Sequence, residues 1–181
     1  MNALRVIAIS GHAQNGKDTV AGMLREKLEE HGESVLVAHY ADLVKYICRT
    51  FFDWNGEKDE YGRSLLQYVG TDVVRTREPD FWVDFIVRIL SFFGDNWDYV
   101  LIPDSRFPNE IEGLRKAGFR VDHLRVIREN FVSPLTAEQQ KHQSETALDD
   151  VVPDHVIVNS GSLHDLETAV NAYIKENIYE D

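Results

Sequence analysis

Apolar residues in this chain gather in short β-branched runs, separated by longer segments in which they recur every three or four positions. The runs at 4–9, 34–40, 99–103, 119–127 and 155–158 have the near-continuous apolar character of strands buried on both faces. The intervening segments predict helices. Residues 17–31 place Val20, Met23, Leu24 and Leu28 on one stripe, with Gly32 as the stop. Further helices are predicted at 43–52, at 65–75 and 81–93 with Pro79 between them, at 109–117 closed by Gly118, and at 163–178 with Leu166, Val170, Tyr173 and Ile174 turned inward. Residues 55–61 read as an exposed polar loop. Residues 128–150 are polar and irregular, too long for a plain connection, and loops of that length are often lids. Strands alternating with helices imply a parallel sheet covered on both faces.

Composition sharpens this picture in two ways. With 181 residues, 43% hydrophobic and 28% charged, the chain fits one ordinary globular domain. The net charge of −12 argues against binding a nucleic-acid polymer, which demands a basic face, but allows a small phosphate ligand in a local positive pocket. Cys48 is the only cysteine, so no intrachain disulfide forms and a reducing compartment fits best. The first apolar run is too short for a signal sequence or a membrane span, and a cytoplasmic location without membrane attachment is expected.

The chemistry begins where the first strand ends, at SGHAQNGKDT (10–19). This is the G-x-x-x-x-G-K pattern of a phosphate-binding loop between a strand and a helix. Gly11 and Gly16 allow positive φ and close approach to an anion, the loop N–H groups converge on phosphate, and the following helix turns its positive end toward the same point. Lys17 supplies a point charge. Asp18 stands where a magnesium-binding hydroxyl is usual. A carboxylate is a hard oxygen donor that can do the same work, or it can be a first-turn acid favoured by the helix dipole. Thr19 is placed to bond a phosphate oxygen.

A second constellation follows the third strand, at the end of a sheet where ligands bind. Asp104 is placed for the magnesium shell, Arg106 for a substrate phosphate, and Glu110 to orient that arginine, against the alternative of a capped turn with a surface ion pair. A third lies at 63–75, where Arg63 and Gln67, and Thr71 and Arg75, share helix faces. Trp54, Trp82 and Trp97 read as core or pocket-wall aromatics, with Trp82 also a candidate to stack a base. His12, His123 and His164 are scattered and read as surface or loop histidines rather than a metal site.

Taken together, SGHAQNGKDTVA (10–21), RSLLQYVGTDVVR (63–75) with Phe81, Trp82 and Val83, DYVLIPDSRFPNE (98–110), HQSE (142–145) and VIVNSGSLHDLE (156–167) resemble the phage-type deoxynucleoside monophosphate kinases, within the nucleoside monophosphate kinase group of P-loop folds. The aspartate after the loop lysine belongs to that family's pattern. The resemblance implies a three-layer αβα sandwich with a five-stranded parallel sheet, a single kinase domain over 1–181 with a helical acceptor-binding insertion at about 41–95 and a lid at about 128–150. It implies transfer of the γ-phosphoryl of ATP, with Mg²⁺, to a (deoxy)nucleoside 5′-monophosphate. By position, Gly11, Asn15, Gly16, Lys17, Asp18 and Thr19 would hold ATP and magnesium, with Asp104 sharing the metal. Asn159, Gly161 and Ser162 would lie near adenine. Asp42, Lys45, Arg63, Gln67, Arg75, Trp82 and Glu110 would line the acceptor site, and Lys17, Asp104, Arg106 and Arg128 would form the transfer centre. At the lid, where related kinases usually carry several arginines, this chain offers Arg128, Lys141 and His142, flanked by Arg125.

Three other readings compete: a kinase of the same architecture acting on dephospho-coenzyme A or a phosphomevalonate-like acceptor, a non-catalytic nucleotide-binding module, and a catalytically lapsed relative. A guanine-reading Asn-Lys-x-Asp is absent, since Ser, Gly and Ser follow Asn159. The partner expected is a small nucleotide, with a homodimer as one option for assembly.

Overall fold

The computed structural model describes residues 4–129, 131–133 and 135–179. Five strands, β1 (Arg5–Ser10), β2 (Val35–Val37), β3 (Tyr99–Ile102), β4 (Arg120–Arg128) and β5 (His155–Asn159), form one sheet in the order β2-β3-β1-β4-β5. Every pairing is parallel. The connections carry α1 (Lys17–Glu30), α2 (Tyr40–Phe51), α3 (Glu60–Gln67), α4 (Phe81–Phe93), α5 (Pro108–Lys116), the short α6 (Ala137–Gln140) and α7 (Gln143–Thr146), and α8 (Leu163–Ile174). The three-layer α/β architecture expected from the sequence is the one observed.

Strand β1 shows why the apolar runs read so clearly. It lies between β3 and β4, and all six of its residues are buried. Side chains alternate across a strand. Val6 and Ala8 therefore enter a core with Val44, Trp82, Leu90 and Ile102, while Ile7 and Ile9 enter a second core with Leu24, Leu28, Leu101 and Val170. The order changes direction at β1, flanked by β3 on one side and β4 on the other. That crevice at the carboxyl ends of the strands is where open α/β sheets bind ligands.

The observed elements differ from the periodicity in three informative places. Helix α2 begins at Tyr40, inside the run read as a strand, because Asp104, just past the end of the neighbouring strand β3, accepts the N–H groups of Tyr40 (3.1 Å) and Ala41 (2.9 Å). Edge strand β2 is correspondingly only three residues long. Helix α3 starts at Glu60, within the segment read as a loop, where the Asp59 side chain accepts the Gly62 N–H at 2.7 Å and caps the turn. It then continues as a π-helix over Tyr68–Arg75, in which the Trp82 indole donates to the Gly70 carbonyl at 2.9 Å and satisfies a group the wider turn exposes. Among the described residues no helix is long and apolar enough to cross a membrane.

Candidate active site

The loop after β1 is built by close backbone approach. Gly11 has φ 140°, and a Cβ there would lie 2.3 Å from the Val126 carbonyl oxygen of β4; Gly16 has φ 99°. Asn15 donates its side-chain amide to that same Val126 oxygen at 3.1 Å, and Asn159 donates its own to the Asn15 carbonyl at 3.1 Å. Asn15 and Asn159 are both buried, and they brace the loop against the ends of β4 and β5. Lys17 folds its ammonium onto the Gly11 and His12 carbonyls at 2.7 and 2.9 Å. Burial first, then the nearby Arg106, pulls Lys17 down to about 8, while Glu145, Asp18 and Asp104 act in the opposite direction.

One cleft opens along this loop, lined by Lys17, Asp18, Thr19, Arg128, Gly161 and Ser162. Arg128 lies over the Phe131 ring, 4.5 Å from its centroid, and donates to the Gln14 carbonyl at 3.3 Å. Ser162 also caps α8 by accepting the Asp165 N–H at 3.0 Å.

A second cleft is walled by α2, α3 and the π-helical turn, with Lys45, Lys58, Arg63, Gln67, Trp82 and Arg106 along it. Trp82 is both wall and core, being only 2% exposed. Asp42 is exposed and pairs with Lys45 at 2.9 Å. Arg75 borders the cleft but is committed elsewhere. Its guanidinium pairs with Glu110 at 2.6 Å and stacks on Phe107, 3.8 Å from the ring centroid.

Glu110 does not orient the Arg106 side chain, as the sequence suggested. One carboxylate oxygen takes Arg75 and the other accepts the backbone N–H groups of Arg106 (2.6 Å) and Phe107 (3.0 Å), so it fixes the turn into α5. Burial pushes Glu110 up to about 7. Every one of these partners donates, however, which suits the ionised form. The Arg106 guanidinium instead bonds the Ser144 carbonyl at 2.8 Å and pairs with Glu145.

The two clefts adjoin at the loop, where Ala13 lines one and Gln14 the other. Lys17, on the first, feels the charges of Arg106, Asp104 and Glu145, which line the second. Among the candidate metal donors, Asp18 presents an exposed carboxylate at the first turn of α1, with the His39 ring 3.4 Å away. Its carboxyl lies below the usual range, chiefly through that His39 hydrogen bond. This is a fit for magnesium, which keeps several waters and needs only one or two carboxylates beside substrate phosphates. Asp104 fits less well, since each of its oxygens already accepts a backbone N–H and burial raises its carboxyl.

His123 corrects another expectation. It is a core residue, 1% exposed, hydrogen-bonded to the Ser10 hydroxyl at 2.7 Å directly beneath the loop, and burial pushes it down to about 4. Lys58 and Glu145 are among the cleft residues with no assigned role in the sequence. Lys58 sits in the stretch read as a plain polar loop, and Glu145 lies in the HQSE segment, where nothing local distinguishes it from a surface acid.

Comparison with known proteins gives the family and the fold. Residues 39–170 match the model of the family described as deoxynucleotide monophosphate kinase. The chain is 29% identical over 181 residues to the deoxynucleotide monophosphate kinase of Enterobacteria phage T4, covering 97% of this chain and 69% of that protein. It is 32% identical over 115 residues to the enzyme of the same name from Escherichia phage RB69, covering 62% of this chain and 44% of that protein. Among solved structures, the APS kinase CysC of Mycobacterium tuberculosis in complex with AMPPNP and APS superposes with a TM-score of 0.54 at 13% identity, covering 97% of this chain and 98% of that one, a likeness of fold alone. A family match that begins after the loop and takes in β3, β4 and β5, together with a relative aligned over 97% of the chain, leads to one assignment: the chain belongs to the deoxynucleotide monophosphate kinase family.

Proposed function

We propose that the protein transfers the γ-phosphoryl group of ATP to the 5′-phosphate of a deoxynucleoside monophosphate, releasing ADP and a deoxynucleoside diphosphate. The observation that supports this reading is a pair of clefts that adjoin at the loop, Ala13 lining one and Gln14 the other, with Lys17 on the first side and Asp104 and Arg106 on the second. The cleft along the loop suits a triphosphate, which loop amides, Lys17 and the amino end of α1 would neutralise. Arg128 and the residues after β5 would flank the donor's base and sugar. The other cleft suits a monophosphate. Lys45, Lys58 and Arg63 would meet its anionic end, and Trp82 would form part of the wall against its base.

Phosphoryl transfer asks for alignment and charge neutralisation rather than a protein nucleophile. An acceptor phosphate oxygen attacks the γ-phosphorus in line and ADP departs. Lys17, Arg106 and Arg128 absorb the charge that develops on the transferring group. When bound, magnesium would neutralise phosphate charge, held by Asp18 with Asp104 nearby. The helices of 41–95 act as the acceptor-binding insertion, and 128–150 as a lid that keeps water from the donor. The reading needs only small nucleotides as partners, and the single buried Cys48 suits a reducing cytoplasm.

A coupled ADP-release assay over the common nucleoside and deoxynucleoside monophosphates tests it. ADP forms with at least one acceptor, and Lys17→Ala lowers the rate by about a hundredfold or more. No ADP above the rate without acceptor, for any of them, overturns the reading.

A further inference from the structure

The lid segment contributes an anion to the centre, and its placement is specific. The Glu145 carboxylate is 5% exposed. One oxygen pairs with Arg106, and the other accepts the Ala13 N–H of the phosphate-binding loop at 2.9 Å. A carboxylate taken this far from water is costly unless both oxygens are engaged, and here both are. The neighbouring Ser144 carbonyl accepts the same Arg106 nitrogen at 2.8 Å, so α7 presents two acceptors side by side to one guanidinium. That short helix is itself secured. The His142 ring accepts the Ser144 N–H at 3.2 Å, and its other nitrogen lies 3.6 Å from Asp72 on the π-helical turn. The lid's remaining cation in this stretch, Lys141, is exposed. Three segments that are distant in sequence, the loop, the β3–α5 turn and the lid, therefore meet at a single side chain.

We propose that Glu145 is a positioning residue, aiming the Arg106 guanidinium at the transferring phosphoryl group, so that the lid acts by orienting a cation borne on the β3–α5 turn. This rests on the reading of Arg106 as a transfer-centre cation. The physical reason is pre-organisation. A free arginine samples many rotamers and would have to be ordered at each turnover, whereas one fixed beforehand stabilises developing charge without reorganising. The same carboxylate lets Arg106 stand close to Lys17, two cations that would otherwise repel.

Glu145→Gln keeps the length of the side chain and its acceptor for Ala13 while removing the charge. It lowers kcat about tenfold with the acceptor KM within about twofold, because the group aims a catalytic contact rather than binding the acceptor. In an Arg106→Ala background the same substitution changes the rate by less than about twofold, since groups that act as one unit are not additive. Nitrogen-15 NMR of the nucleotide-free protein gives a readout independent of turnover: the slowly exchanging guanidinium signal of Arg106 is present in the parent and lost in Glu145→Gln. Equal rate losses in both backgrounds, a KM rise at constant kcat, or an unchanged Arg106 signal overturns the proposal. Should Glu145→Gln fail to fold, Glu145→Asp, which withdraws the carboxylate by one methylene, goes through the same comparison with the same criteria. If the parent forms no ADP with any acceptor, the kinase reading falls, while the NMR comparison still decides whether Glu145 holds Arg106.

Discussion

At the scale of single residues, Lys17 concentrates the electrostatic tension of the site. Burial and Arg106 bring it to about 8, so the nucleotide-free protein holds this charge firmly only below that pH. A plot of kcat/KM against pH reports groups of the free enzyme, whereas kcat reports the bound complex, in which phosphates adjoin the ammonium and keep it protonated. The kcat/KM for ATP therefore falls by about tenfold per pH unit above about 8, and kcat falls at higher pH. A pH–rate profile from about 6.5 to 9.5 checks this, and a flat kcat/KM would remove Lys17 from the donor site. The stability consequence has the opposite sign. The folded value of about 8 lies below the ordinary 10.5, so between them the unfolded chain holds a proton the folded one has released, and stability rises with pH across that window.

Among the elements, the junction of β1 and β4 sets the shape of the loop, and two glycines separate conformation from space. Gly11 and Gly118 both have positive φ, at 140° and 93°. A Cβ on Gly118 meets nothing within 4 Å, whereas on Gly11 it would lie 2.3 Å from a backbone oxygen that cannot swing away. Gly118→Ala therefore costs about 1–2 kcal/mol for its backbone alone. Gly11→Ala costs a further 1–3 kcal/mol, roughly, for overpacking. Urea midpoints of the two variants measure this, and equal losses would mean that close approach does not select glycine at position 11. The loop was legible in the sequence because residues 11–19 are contiguous, and the strands were legible because burial on both faces leaves an unbroken apolar run. The start of α2 was not, since its cap is Asp104, 64 residues away from Tyr40. Nor was the role of Glu110, whose partner Arg75 lies 35 residues away on a π-helical turn that local spacing cannot distinguish from an α-helix. His123 looked like a surface residue because a polar side chain on a strand gives no sign of which face it takes until a partner such as Ser10 appears across the sheet.

Across the whole molecule, the sheet divides two cores, and each cleft is hung on a different one. The donor cleft takes Lys17, Thr19 and Leu166 from α1 and α8, which pack on one face, while the acceptor cleft takes Val44, Leu66 and Trp82 from helices packed on the other. Cations gather in both places although the chain carries a net charge of −12: Lys45, Lys58, Arg63 and Arg106 line one cleft, and Lys17 with Arg128 the other. A ligand that binds only the folded chain at about 100 times its Kd adds about 2.7 kcal/mol, and each kcal/mol moves the midpoint of a chain this size by about 2–4 °C. A non-hydrolysable ATP analogue and the acceptor monophosphate should each raise the thermal midpoint by about 5–11 °C at that concentration, and together by about the sum. Lys17→Ala then separates the clefts: it abolishes most of the rise caused by the ATP analogue and leaves the rise caused by the monophosphate nearly intact, since Lys45, Lys58 and Arg63 are untouched. If the variant loses both rises together, donor and acceptor are sharing one pocket, and the division of the molecule into two nucleotide sites on either side of Lys17 and Arg106 is wrong.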